Sequence, residues 1–288
     1  MASLLQWRPA WKRAARSILG RGPLPSTVVL WTGASRLDGT PIMVTAHCVA
    51  DASDNRKTGD MVQVSIMRAD MSPMDAWKAG ADGAVCPEAC PHRSVIRGGA
   101  GTCYVNKARL NEAHASAARR AADGIVGIPV GLFTGAKVRI GMEGDPSAVP
   151  FHVWQTVLIG TKSHTGYTAE WRNLPAEWAA LFMASCGSPA DVAEAEARGW
   201  RPFVASRSKA DDAAYAAAGL RLCLSEAADV SCEHCGGCNG TAKGAKRRGY
   251  YLAMHGALGS AARKRADAAC PAATAMVDRM RAAREAAR

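Results

Sequence analysis

An α/β fold with parallel strands is what this sequence predicts, and three observations lead there. From Lys137 onward, short apolar runs alternate with helix-like runs in the rhythm of βα units. Polar and cysteine-bearing motifs fall at the ends of those runs, where parallel sheets and barrels place their sites. With 288 residues and 48% hydrophobic content, the chain can bury a proper core as one large domain with appendages or as two small ones. An open sheet and a full or partial βα barrel both satisfy the pattern. The expected form is the barrel-like one, with cysteine-cluster loops and basic terminal extensions.

Taken in order, residues Thr27–Ala34 and Pro41–Val49 alternate enough to be strands, and DASDNRKTGD (51–60) is loop-like. Met61–Arg68 reads as a further β segment, and Ser72-Pro73 starts a short helix that reaches Trp77. A cysteine-rich loop follows over Val85–Tyr104, then a helix over Asn106–Ala122. Lys137–Ile140 predicts a strand ending in GMEGDP, and Pro150–Leu158 a helix. Ser163–Thr168 and Trp178–Ala184 are strand candidates, and Ser188-Pro189 opens a helix through Asp191–Arg198. Arg201–Ser206, a helix at Asp211–Ala218 and a last strand at Leu220–Leu224 complete the pattern. Helix-like runs recur at Ser260–Arg265 and Asp278–Arg288.

Charge separates the ends from the body. The net charge is +5 over residues 1–26, +8 over 239–288 and −2 between them, so the chain's +11 belongs to its ends. Four regions are therefore expected: a loosely ordered basic arm (1–26), a barrel-like core with the first cysteine cluster (27–222), a second cluster (223–240) and a basic helical tail (241–288). Such ends attract phosphates in a salt-sensitive way, making nucleic acid a candidate partner; helical Ala/Arg ends also serve solubility. The neutral body argues against a protein that coats nucleic acid along its whole surface. No stretch approaches the roughly 20 apolar residues of a membrane span, so no membrane partner is expected. Arg8, Lys12, Arg13 and Arg16 break up any secretory leader, and a cytoplasmic setting is expected. There, clustered cysteines read as metal ligands or redox groups before disulfides.

Seven of the ten cysteines form two clusters. The second runs Cys223, then Cys232-Glu-His-Cys235-Gly-Gly-Cys238, and its C-x2-C-x2-C lets successive thiolates wrap one centre. Gly236 and Gly237 supply the turns. Four thiolates suit tetrahedral zinc or an iron–sulfur cluster alike. The first cluster is Cys86, Cys90 and Cys103, one thiolate short of a set; it would hold a cubane cluster with one iron open, or a zinc ion completed by His92. Cys48, Cys186 and Cys270 read as ordinary thiols. Nucleotide-binding P-loops, H-E-x-x-H and G-x-S-x-G motifs are missing from the sequence.

The order of motifs resembles the phage gene product 88 family, whose members look like relatives of radical S-adenosylmethionine enzymes. The pieces are Asn55, Lys57, Thr58 and Gly59; Cys86, Cys90, Cys103 and Tyr104; Gly144 and Asp145; Tyr167, Thr168 and Trp171; Ala184 and Ser185; and the closing cysteines. The resemblance spans about residues 53–240 and implies a βα barrel with a 4Fe–4S cluster on the loop after an early strand. The open iron would take the amino and carboxyl groups of S-adenosylmethionine, and a reductant protein would supply one electron. Gly141, Glu143, Gly144 and Asp145 stand where a Gly-Gly-Glu-like motif contacts the methionine amino group, and Tyr167 and Thr168 would face the same mouth. The long interval before Cys103 departs from the usual C-x3-C-x2-C. A phage origin, with the host cytoplasm as setting, and a nucleotide or nucleic-acid substrate follow from the resemblance and the basic ends. The rival reading is a non-enzymatic protein with two structural zinc sites that binds nucleic acid.

Overall fold

β-branched and apolar residues crowd the segment between Thr27 and Arg68, and three strands are built from it in the computed structural model. That model describes residues 10–19, 25–50, 53, 55–93, 101–124, 126–241 and 248–286. Strands β1 (Thr27–Ala34), β2 (Pro41–His47) and β3 (Val62–Arg68) pair antiparallel, and β4 (Lys137–Ile140) and β5 (Ser163–Thr165) extend the sheet in parallel, in the order β1-β2-β3-β4-β5. The sheet is therefore mixed, where the sequence pattern predicted parallel strands. The reason lies in the connections. A short turn, with Gly39 at φ +80°, joins β1 to β2 and permits only a hairpin. The β3–β4 crossover contains the helices α2 (Pro73–Lys78) and α3 (Lys107–Ala122), which parallel pairing requires. Ser72 and Asn106 cap them, accepting the amides of Asp75 and Arg109.

Register gives this sheet two unlike faces. One carries Ile42, Val44, Ala46, Val62, Val64, Ile66, Val138 and Ile140, all buried. The other carries the buried Met43 and Met67 and, beside them, a polar stretch of Thr45, His47, Gln63, Ser65, Arg139 and Thr165, also buried. The side chains alternate between the two faces, and the polar stretch of the second face does not face water.

The chain divides into two compact units. The first holds this sheet and comprises Met1–Cys86, Asn106–Gly166 and Ser231–Gly237; the second comprises Pro87–Val105, Tyr167–Val230 and Cys238–Arg288. The expected 27–222 core thus contributes to both. Within the expected basic arm, Ala10–Leu19 form helix α1 in the first unit, with Trp11 buried edge-on to Phe133, ring centroids 6.5 Å apart; residues 1–9 and 20–24 of that arm lie outside the described residues.

The second unit has its own five-stranded sheet, ordered β6-β7-β8-β10-β9, in which all pairings are parallel. Its strands are β6 (Tyr167–Thr168), β7 (Met183–Cys186), β8 (Pro202–Ser206), β9 (Arg221–Leu222) and β10 (Tyr250–Ala253). Helix α4 (Phe151–Val157) belongs to the first unit; in the second, α5 (Pro189–Ala197) and α6 (Lys209–Ala217) start at Ser188 and Ser208, each hydroxyl accepting a third-residue amide, and the short α7 (Leu224–Ala227) follows β9. The expected strand Ser163–Thr168 is split at Gly166 between the two sheets, and Trp178 lies in a 3-10 turn (Ala176–Ala180) before β7. The expected last strand, at Leu220–Leu224, is not the last. β10 follows it, inserted between β8 and β9, and the tail continues as α9 (Gly256–Ala269) and α10 (Pro271–Ala286). Residues 94–100 of the first cysteine loop and 243–247 of the basic run KGAKRR lie outside the described residues, as do 51, 52 and 54 of the DASDNRKTGD loop. Among the described residues, no helix is long and apolar enough to cross a membrane.

Candidate functional site

The crossover after β3 delivers Cys86 to a well-anchored end. Ala84 accepts the Ser35 hydroxyl at 2.6 Å, Val85 accepts the Asp145 amide at 2.7 Å, and the Cys86 amide donates to Asp82 at 2.8 Å. Three consecutive residues are thus fixed, and the Cys86 side chain is half-buried. The second of those bonds joins the cysteine segment to the G-M-E-G-D-P turn that ends β4. Gly141 and Met142 both donate to Val64, and Glu143 accepts from Ile66, so the turn folds back along β3. Gly144, at φ +78°, is required: a Cβ there would stand 2.6 Å from the Ile66 carbonyl oxygen.

Glu143 already has an ammonium beside it. Lys107 Nζ lies 2.6 Å from Glu143 Oε1, and both side chains are more than nine-tenths buried. Burial pushes the Glu143 carboxyl up, against the downward pull of Lys107. Lys107 is the first residue of α3, where a cation opposes the helix dipole, so the carboxylate is what makes that position tolerable. The Asp145 carboxylate accepts the Ser147 amide at 2.9 Å and caps the 3-10 turn Pro146–Ala148.

The Cys232–Cys235 pair is built at the other end of β3. Helix α8 (Cys232–Cys235) is a single turn closed by Gly236 in the left-handed region, φ +57°. Residues three apart on one turn share a face, so the two sulfurs are neighbours by construction. The turn is fastened to the Asn55–Gly59 loop, which precedes β3: Cys232 donates to Lys57 at 2.9 Å and Glu233 to Thr58 at 3.0 Å. Glu233 Oε2 in turn accepts the Asp60 amide at 2.9 Å. The Asn55 carboxamide oxygen accepts the amides of Lys57 and Thr58, giving the N-x-K-T-G motif a structural role that its sequence did not disclose. Cys86 belongs near the Ile66 end of β3 and Cys232 near its Val62 end. Four residue steps of strand, roughly 13 Å, lie between those ends.

In the second unit, Cys90 and Cys103 meet through His92. The His92 carbonyl accepts the amides of Thr102 and Cys103, both at 3.1 Å, while Arg93 donates back to Cys90 at 3.3 Å. The His92 ring bonds through Nδ1 with the Thr102 hydroxyl at 2.8 Å. Cys223 follows β9, its amide donating to the Tyr251 carbonyl, and Cys238 is buried. Tyr167 stacks on Phe203, ring centroids 4.3 Å apart, and the buried Thr168 hydroxyl accepts the Glu170 amide at 3.1 Å. Trp171 is buried with the Arg172 guanidinium 4.1 Å above its ring. Cys186 is buried, and burial lifts its thiol to about 12, the behaviour of an ordinary core thiol.

Thiols fit a thiophilic metal by donor chemistry, and the one-turn spacing of Cys232 and Cys235 suits one. Within a single unit, no group of three or more His, Cys, Asp or Glu side chains among the described residues gathers to hold a metal ion. Comparison with family models, with curated proteins and with solved structures finds no match to this chain.

Proposed function

We propose that the chain is an iron–sulfur protein of radical S-adenosylmethionine type. Cys86, Cys90 and Cys103 are the cluster ligands, and Cys223, Cys232, Cys235 and Cys238 form an auxiliary thiolate centre. One observation carries the reading. A cysteine loop follows β3, a glycine- and acid-bearing turn follows its parallel neighbour β4, and the Asp145–Val85 hydrogen bond joins them one residue from Cys86. Ligand sites of parallel βα units sit at such strand ends.

When bound, a 4Fe–4S cluster with S-adenosylmethionine supplies one-electron reductive cleavage of a sulfonium; orientation and exclusion of water are the chain's task. Here the backbone around Cys86 is immobilised before any ligand arrives, and Gly141 and Gly144 let the β4 turn approach without side chains. Glu143 is the carboxylate for a ligand ammonium, which it reaches by exchanging Lys107 for that ammonium. Asp145 holds the turn in shape, and Tyr167 and Thr168 complete the cofactor-binding set. The reading carries with it a full or partial βα barrel, a reductant protein, a phage origin with the host cytoplasm as setting, and a nucleotide or nucleic-acid substrate contacted by the basic ends.

Incubating the reduced protein with S-adenosylmethionine tests this reading. Formation of 5′-deoxyadenosine is expected from the wild type and none from Cys86→Ala; undiminished cleavage by the variant removes Cys86 from the mechanism. The zinc-and-nucleic-acid reading is favoured by the α8 turn, because a tetrahedral ion uses the same C-x2-C geometry. It requires a colourless protein with stoichiometric zinc.

A further inference from the structure

The polar face of the first sheet takes no part in the function proposed above. Ser65 stands opposite Thr45, and Gln63 opposite His47 on one side and Arg139 on the other. Arg139 neighbours Thr165 in turn. Burying such groups is unfavourable unless each finds a hydrogen bond, and a face selected only for packing would be apolar, as its reverse is. Most of the face is internally paired. His47 Nε2 and the Thr45 hydroxyl are 2.9 Å apart, Gln63 donates to Thr58 and Met61, and Arg139 donates to Gln63 Oε1 at 3.2 Å.

Ser65 is the exception. The residue is fully buried, and its hydroxyl oxygen has no hydrogen-bond partner among the described residues. The strand position beyond Arg139 is Gly141, so no side chain from β4 reaches across to it. None of the five strands contains an acidic residue, while the guanidinium of Arg139 lies diagonally across from Ser65. A hydroxyl donor and a guanidinium on one buried face, whose strands supply no carboxylate and beside which Glu233 is engaged by Lys137 and the Asp60 amide, have the chemistry that recognises an oxyanion.

We propose that this face binds the phosphate or carboxylate group of a small molecule, held by the Arg139 guanidinium and the Ser65 hydroxyl. An unpaired buried hydroxyl destabilises the empty protein, and the bound oxyanion removes that penalty. This makes the site independent of any metal.

The test is the thermal midpoint of the full chain in sodium phosphate and in sodium acetate, each against sodium chloride of equal ionic strength. One of the two oxyanions raises the wild-type midpoint, and the stronger identifies the group. Ser65→Ala raises the midpoint of the ligand-free protein yet weakens oxyanion binding by about ten-fold. Arg139→Gln abolishes the oxyanion shift; should that variant not fold, Ser65→Ala alone decides. No shift in the wild type overturns the proposal, as does a shift that survives Ser65→Ala, which would locate binding at the basic ends. A ligand-free Ser65→Ala that melts below the wild type overturns it too. None of these outcomes depends on cluster content, so the iron–sulfur reading stands or falls separately.

Discussion

His47 sits in the polar face with Thr45 on one ring nitrogen and Thr27 on the other, at 2.9 and 3.3 Å. Burial pushes its imidazole from 6.5 down to about 4. A depressed folded value means that the stability tied to the neutral ring is complete above pH 6.5 and lost as pH falls through about 4. The loss amounts to about 3 kcal/mol. Urea unfolding between pH 7 and 4 is therefore expected to fall more steeply for the wild type than for His47→Asn; parallel curves would mean the ring is not held neutral. The Lys107–Glu143 pair makes a second residue-scale prediction. Glu143→Ala takes the carboxylate away from a buried ammonium and costs about 3–5 kcal/mol, whereas the double variant Lys107→Met/Glu143→Leu loses markedly less. Equal losses, again by urea unfolding, would show that the pair acts through packing rather than charge. The pairing itself was hidden from the sequence, because Lys107 and Glu143 belong to different elements and neither spacing nor motif links them.

At the scale of elements, the G-M-E-G-D-P turn depends on glycine where it crosses β3. Gly144→Ala combines a left-handed residue with a Cβ 2.6 Å from a backbone oxygen, whereas Gly39→Ala, at φ +80°, meets nothing within 4 Å. Gly39→Ala is expected to cost about 1–2 kcal/mol and Gly144→Ala clearly more, measured as denaturation midpoints. Equal costs would show that the turn can move off β3. The strands with β-branched runs and the serine-capped helices were legible in the sequence, because propensity and capping agree there: Met61–Arg68, Ser72-Pro73 and Ser188-Pro189 are examples. β10 was not. Its residues Tyr250–Ala253 are strong strand formers, but they lie in a stretch whose basic charge and alanine content read as tail. Gly249 was the available signal, since a Cβ there would meet the Pro202 carbonyl oxygen at 2.3 Å, a close approach only glycine allows. The antiparallel start of the first sheet was likewise implicit in the short link at 35–40, which the βα rhythm further along the chain overshadowed.

Across the whole molecule, the tail is tied into the second unit rather than merely appended to it. Asp278 pairs with Lys209 at 2.8 Å, and Arg263 holds the Asp212 carboxylate. Truncation beyond Asn239 would remove β10 along with the charge, so the nucleic-acid reading is better tested by substitution. Lys264, Arg265 and Arg279 are exposed on α9 and α10. Changing all three to glutamine is expected to weaken binding to a short DNA regardless of its sequence and to lower the salt dependence; unaltered, salt-insensitive binding would remove the tail from that role. The central claim proposed above is a cluster-bearing protein with a separate auxiliary thiolate centre. The decisive measurement is iron and acid-labile sulfide per chain in anaerobically purified protein, with electron paramagnetic resonance after reduction. Bound iron with matching sulfide and a reduced-cluster signal is the predicted result, and zinc alone, or neither metal, would contradict it.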